Sequence, residues 1–91
     1  MVKVFRQGDV VLKETILPTN SIKVSEKLKV SSETGNDHVM DVPVYEHYGQ
    51  TCIVVEQETP LTHPQHETII VAPGVYEVSH VRDALDVGQR D

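Results

Sequence analysis

The segment IKVSEKLKV, residues 22–30, decides the fold. Ile22, Val24, Leu28 and Val30 share one parity, and Lys23, Ser25, Lys27 and Lys29 share the other. That period of two belongs to a strand with one face buried. A helix would group positions 22, 25, 26 and 29, one apolar residue with three polar ones, and so would have no apolar stripe. Glu26 interrupts the apolar parity, which predicts a bulge or a strand break beside it. The three lysines make a basic stripe that suits the guarding of a sheet edge, because lysines discourage edge-to-edge pairing.

The same reading extends along the chain. Val10 to Leu17 is rich in β-branched residues and stops at the turn-forming Pro18-Thr19-Asn20. Val39 to Tyr48 and Thr51 to Glu58 flank Gly49-Gln50, which predicts a hairpin, and Pro43 marks an edge strand or a kink in the first arm. Thr68 to Ala72 is short and almost wholly apolar, which predicts a central strand buried on both faces. Pro73-Gly74 suits a tight turn into a last strand over Val75 to Val81. Short strands between frequent turns predict an all-β fold, a small single-domain barrel or sandwich of about six to seven mostly antiparallel strands. One domain spans residues 1–91, and the charged tail 82–91 is expected to fray.

Charge and composition exclude several functions. With 24% charged and 38% hydrophobic residues the chain is globular rather than disordered. Its net charge of −6 opposes general nucleic-acid binding, and Phe5, Tyr45, Tyr48 and Tyr76 are too scattered for a base-stacking platform. No glycine-rich nucleotide motif is present. No apolar run reaches the length of a membrane span and the first residues do not make a signal peptide, so a cytoplasmic protein with no membrane contact is expected. The single Cys52 excludes an intrachain disulfide and lies in an apolar strand, where a free cysteine acts as a small core hydrophobe. Association into a homo-oligomer would add buried area to so short a chain. Glu56 and Glu58 have same-face strand spacing, but on a solvated face they are only charges.

Chemistry, if present, centres on Leu61-Thr62-His63-Pro64-Gln65-His66-Glu67-Thr68. Pro64 suits the second position of a turn, which would bring the His63 and His66 rings together. Two neutral imidazoles so placed can share a zinc-like divalent ion. The loop at Gly35-Asn36 offers Asp37 and His38, which would complete a set of His38, His63 and His66 with Asp37 as a further ligand or an orienting carboxylate. Glu67 is then the carboxylate to test as a base. The same residues also suit a polar connection between strands, with Asp37 forming an Asx turn. His80 shares a mainly apolar face with Tyr76 and Val78, which predicts a buried, hydrogen-bonded ring, and His47 beside the hairpin turn is expected to be exposed.

Residues 34–83, with the opening Arg6-Gln7-Gly8-Asp9-Val10, resemble an uncharacterised family of short proteins from bacterial and phage or plasmid genomes. The family pattern runs Thr-Gly-His-x-His, a hydrophobic hairpin, His-Pro-Glu-His, Pro-Gly-x-Tyr-x-Val and an Arg-Glu pair. The matching positions are Thr34, Gly35 and His38; His63, Pro64 and His66; Pro73, Gly74, Tyr76 and Val78; and Arg82 with Asp83. Asn36 stands where the pattern has its first histidine, and Gln65 replaces a glutamate. The resemblance implies a site but no activity. Two functions from different classes follow: a metal-binding β domain, with a small hydrolase or lyase as its catalytic form, and a non-enzymatic interaction or assembly module accessory to a mobile element. The sequence leaves open whether the protein is an enzyme and which protein partner it would have.

Overall fold

A computed structural model describes residues 2–32 and 35–81. The tail 82–91, and with it Arg82 and Asp83, lies outside the described residues, as does Thr34. Ten strands follow one another: β1 (Val4–Gln7), β2 (Val10–Glu14), β3 (Ile22–Ser25), β4 (Leu28–Ser31), β5 (Asp37–Met40), β6 (Val44–His47), β7 (Gln50–Val55), β8 (Thr59–His63), β9 (His66–Val71) and β10 (Gly74–His80). They form a six-stranded sheet, β1-β2-β10-β7-β6-β3, and a four-stranded sheet, β4-β5-β8-β9, and every described pairing is antiparallel. The fold is therefore all-β, as expected. It has more than the six to seven strands anticipated, and neither sheet closes into a barrel.

The extra strands arise because two predicted strands are broken. At Glu26 the chain leaves the six-stranded sheet after β3 and enters the other sheet as β4. The expected break is thus a change of sheet. Ser25 Oγ closes it, donating to Lys27 O at 2.8 Å and accepting from Lys27 N at 3.2 Å. Only the second half of the apolar parity meets the core. Leu28 is buried, whereas Ile22 and Val24 on the end strand β3 remain 67% and 50% exposed. The predicted strand 39–48 is cut the same way: Val42 N donates to Met40 O at 3.0 Å, and beyond Pro43 the chain returns to the six-stranded sheet as β6.

Turn chemistry sets the register of the hairpins. His47 pairs with Gln50, so the two-residue loop is Tyr48-Gly49, with φ of 49° and 82°. Positive φ at both positions is the type I′ turn, whose twist matches that of paired strands. The turn was expected one residue later. β1 and β2 meet through Gly8-Asp9, where only Gly8 takes positive φ, 57°, the glycine-first pattern of a type II′ turn.

One core draws on both sheets. Val10, Leu12, Val44, Ile53, Val55 and Tyr76 come from the larger sheet, and Leu28, Met40, Leu61 and Val71 from the smaller. Phe5 meets Tyr76 edge to face at 5.6 Å, and the Tyr76 hydroxyl donates to Ala72 O at 2.7 Å. Residues 68–72 are not central. Residues 68–71 belong to β9, the end strand of the smaller sheet, where Val71 is buried and Ile70 is 54% exposed, and Ala72 lies just beyond it. An apolar run with one face on the core and the other at a sheet edge reads in sequence like a strand buried twice. Cys52 is buried, and burial, with the Glu77 charge, raises its thiol pKa above the ordinary 9.0. That leaves it an inert core residue.

Candidate cation site at the Gly8-Asp9 turn

Three histidines form a row across the smaller sheet. In β5, His38 lies one step from Val39, which pairs with Thr62 of β8, so His38 stands beside His63. His63 in turn pairs with His66 of β9 across Pro64-Gln65. Proline cannot take the positive φ of a type I′ turn, and Gln65 does not take it either. The resulting mismatch in twist is absorbed by a register shift between Leu61 and His63. Cross-strand partners share a face, so the ring centroids lie 4.3 Å apart for His38–His63, 4.5 Å for His63–His66 and 5.9 Å for His38–His66.

The ring nitrogens do not all aim at one point. His63 Nδ1 accepts the Gln65 N–H at 3.0 Å, so its proton sits on Nε2, 3.2 Å from Ser32 Oγ. His63 is 5% exposed and holds the turn rather than presenting a free lone pair. Among the described residues, no three His, Cys, Asp or Glu side chains are arranged to hold a metal ion. Asp37 points away from the histidine row and lies 3.6 Å from Lys29 Nζ. The Glu67 side chain is exposed, and only its backbone carbonyl reaches toward the row. Glu56 and Glu58 are exposed as well. His80 is half-buried with no hydrogen bond to its ring among the described residues, and His47 is half-buried against Tyr48 at 4.5 Å.

The residues that meet the row come instead from the β1–β2 hairpin. Gln7 is 3% exposed, and its amide Nε2 donates to Leu61 O at 2.8 Å and Glu67 O at 2.9 Å. Those two carbonyls fix the amide orientation, so Gln7 Oε1 must be the atom that faces His38 Nδ1 at 2.9 Å. His38 therefore carries its proton on Nδ1. Its other nitrogen, Nε2, lies 3.1 Å from Asp9 Oδ1. Asp9 is held in turn by its own carbonyl, which accepts the Val81 N–H at 2.8 Å. Next to it, a Cβ on Gly8 would collide with the His66 ring at Nε2. Glycine is thus required at position 8 by both φ and space.

The electrostatics of the His38–Asp9 contact are unusual. Burial pushes the His38 pKa below 6.5; the Asp9 contact opposes this, and charge on His63 or His66 would reinforce it. Burial alone would raise the Asp9 pKa, but the hydrogen bond with His38, the Asp9 backbone and the charges of His38 and His80 bring it below 3.8. With the Nδ1 proton committed to Gln7, His38 Nε2 and Asp9 Oδ1 face each other at hydrogen-bond distance, a contact that a proton or another cation can bridge. Gln7, Gly8 and Asp9 were legible in the sequence only as part of the Arg6-to-Val10 resemblance; no spacing rule links them to residues 38 and 66.

The fold and this rim define a small two-sheet β domain. The chain belongs to a domain family of unknown function (DUF8820), which it matches over residues 6–80, from the β1–β2 hairpin to the end of β10. No curated protein and no solved structure matches the chain. Among the described residues, no helix is long and apolar enough to cross a membrane.

Proposed function

We propose that this domain binds a divalent, zinc-like cation at the β1–β2 turn, with His38 Nε2 and the Asp9 carboxylate as its first two ligands and His66 as the third. The observation that carries the reading is the 3.1 Å approach of His38 Nε2 to Asp9 Oδ1 while the Nδ1 proton is committed to Gln7. An imidazole whose far N–H is anchored on a carbonyl oxygen is oriented as metal-binding histidines usually are. Asp9 takes the place expected for Asp37, and His63 supports the rings on either side of it. For the set to close, the partly exposed Asp9 carboxylate and the exposed His66 ring, which rests against Gly8, would rotate toward a common point. A third donor completes the minimum set that leaves one position open to water. Among the described residues no carboxylate stands at the rim in the role expected of Glu67, and the reading is one of binding.

The test uses protein purified without a histidine tag, loaded in turn with zinc, manganese, nickel and iron(II). Bound metal is counted by mass spectrometry and melting is followed with and without chelator. One ion per chain, lost in Asp9→Asn and in His66→Ala, is the expected result. No stoichiometric ion after loading would defeat the reading. So would nitrogen NMR shifts showing both His38 nitrogens protonated at neutral pH with metal present, because the proton would then be the cation.

A further inference from the structure

A cleft of about 830 Å³ runs between β4, the β6–β7 hairpin and the second half of β10. None of the three histidines of the row lines it, and His80 stands at one end. Its first wall is made by consecutive residues, Lys27 to Ser31. A strand that lines a cleft with every residue in turn presents its edge, because side chains alone would appear at every second position. Among the described strands, β4 is the end strand of its sheet and pairs with β5 alone.

The ladder shows which backbone groups face the cleft. Ser32 N donates to Asn36 O at 3.0 Å, so this pair is hydrogen-bonded. Hydrogen-bonded and open pairs alternate along an antiparallel ladder. Leu28 and Val30 therefore bond toward β5, while Lys29 and Ser31 turn their N–H and C=O groups outward. Beside this edge the lining carries Val30, Val44 and Val78, with Glu46 and Glu77 across the cleft from the lysines. The outer side of the edge carries Lys27, just before β4, and Lys29, whose Nζ lies 3.6 Å from the Asp37 carboxylate.

We infer that this cleft receives an extended segment of another protein as an added antiparallel strand on β4. Its apolar side chains would alternate with acidic ones. The apolar parity lies on Val30, Val44 and Val78; the acidic parity lies beside Lys27 and Lys29 on the solvent side. Backbone bonds to Lys29 and Ser31 supply the register, and side-chain alternation supplies selectivity. A second copy of this chain is the wrong occupant. Pairing β4 with its twin would draw together the lysines of two chains that each carry a net charge of −6. Lysines that block like edges select an acidic one.

The probe is a fluorescein-labelled eight-residue peptide alternating valine with glutamate, with a valine–lysine peptide as control, titrated into the full chain by fluorescence anisotropy. The glutamate peptide binds, weakens as salt rises, and perturbs and protects the Lys29 and Ser31 amides in NMR spectra. Ser31→Pro removes one outward N–H without touching the β5 ladder and weakens binding by about tenfold. The double variant Lys27→Glu with Lys29→Glu keeps the fold, loses the glutamate peptide and gains the lysine one. Equal binding of both peptides overturns the inference, as does no binding at millimolar concentration. Self-association through β4, seen as a dimer in light scattering and abolished by the double variant, overturns it too.

Discussion

Replacing Gln7 by leucine removes a side chain that bonds to all three strands around the histidine row. Gln7 belongs to β1 of the larger sheet, yet its amide bonds to β8, β9 and His38 of the smaller one. Leucine is similar in size and suits a site only 3% exposed, so the cavity term is small. What is lost is polar. The Leu61 and Glu67 carbonyls and the His38 Nδ1–H each lose a partner. A buried group left unsatisfied costs about 1–3 kcal/mol, and the fully buried His38 N–H should stand at the upper end. With the two carbonyls at the lower end the polar loss is about 5 kcal/mol, and burial of the leucine returns about 1 kcal/mol, leaving a net loss near 4 kcal/mol. For a chain of this length that lowers Tm by roughly 16–32 °C. Urea and thermal unfolding followed by circular dichroism measure it, with an unchanged denaturant slope as the check that unfolding stays two-state. His38→Leu in the same background should cost less than in the wild type, by at least about 1 kcal/mol, because the stranded N–H goes with the ring. A Gln7→Leu cost below about 1 kcal/mol, or strict additivity with His38→Leu, would refute the placement of that proton and the geometry built on it.

Two further outcomes follow from local structure. Tyr48 is 96% exposed and sits at φ 49° in the type I′ turn, so Tyr48→Asn should stabilise the chain by about 1 kcal/mol and raise Tm by several degrees; a fall in Tm would contradict the turn assignment. Cys52 and Tyr76 both have pKa values raised above 9.0 and 10.0, first by burial and then by Glu77 and Glu14 respectively. Groups raised in this way give stability that is complete below their unfolded pKa and is lost as pH rises through the folded one. Urea midpoints should therefore drop as pH rises above about 9, less so in Cys52→Ala, and a thiol reagent at neutral pH should label Cys52 only on unfolding. Rapid labelling of the folded chain would show that the thiol is not enclosed.

Much of the fold was legible because backbone restrictions are local. Glu26 and Pro43 announce interruptions, and both are places where the chain changes sheets. The His63-Pro64-Gln65-His66 turn follows from the fixed φ of proline, and with it the proximity of two rings. Position within a sheet was not legible. Ile22 and Val24 alternate like a buried strand, and residues 68–72 look like a central one, yet β3 and β9 are both end strands. Sequence pattern records which side chains share a face and says nothing of what lies beside or above that face. The site was half legible for the same reason. His38 and His66 carry their chemistry in their names, but Gln7 and Asp9 approach them from a strand some thirty to sixty residues distant, across the gap between two sheets. Asp37 was chosen for its nearness in sequence to His38, and strand alternation sends it to the opposite face.

The place of β10 has a consequence for how the protein comes into being. It is the last described strand to be synthesised, yet it lies inside the larger sheet, between β2 and β7. On the ribosome, both neighbours emerge before it and have nothing to span the gap between them. The nascent chain must wait, its apolar surfaces exposed, until residue 80 has cleared the exit tunnel. Assembly is therefore a single late event, and chains stalled or clipped before that point are natural clients for chaperones and proteases.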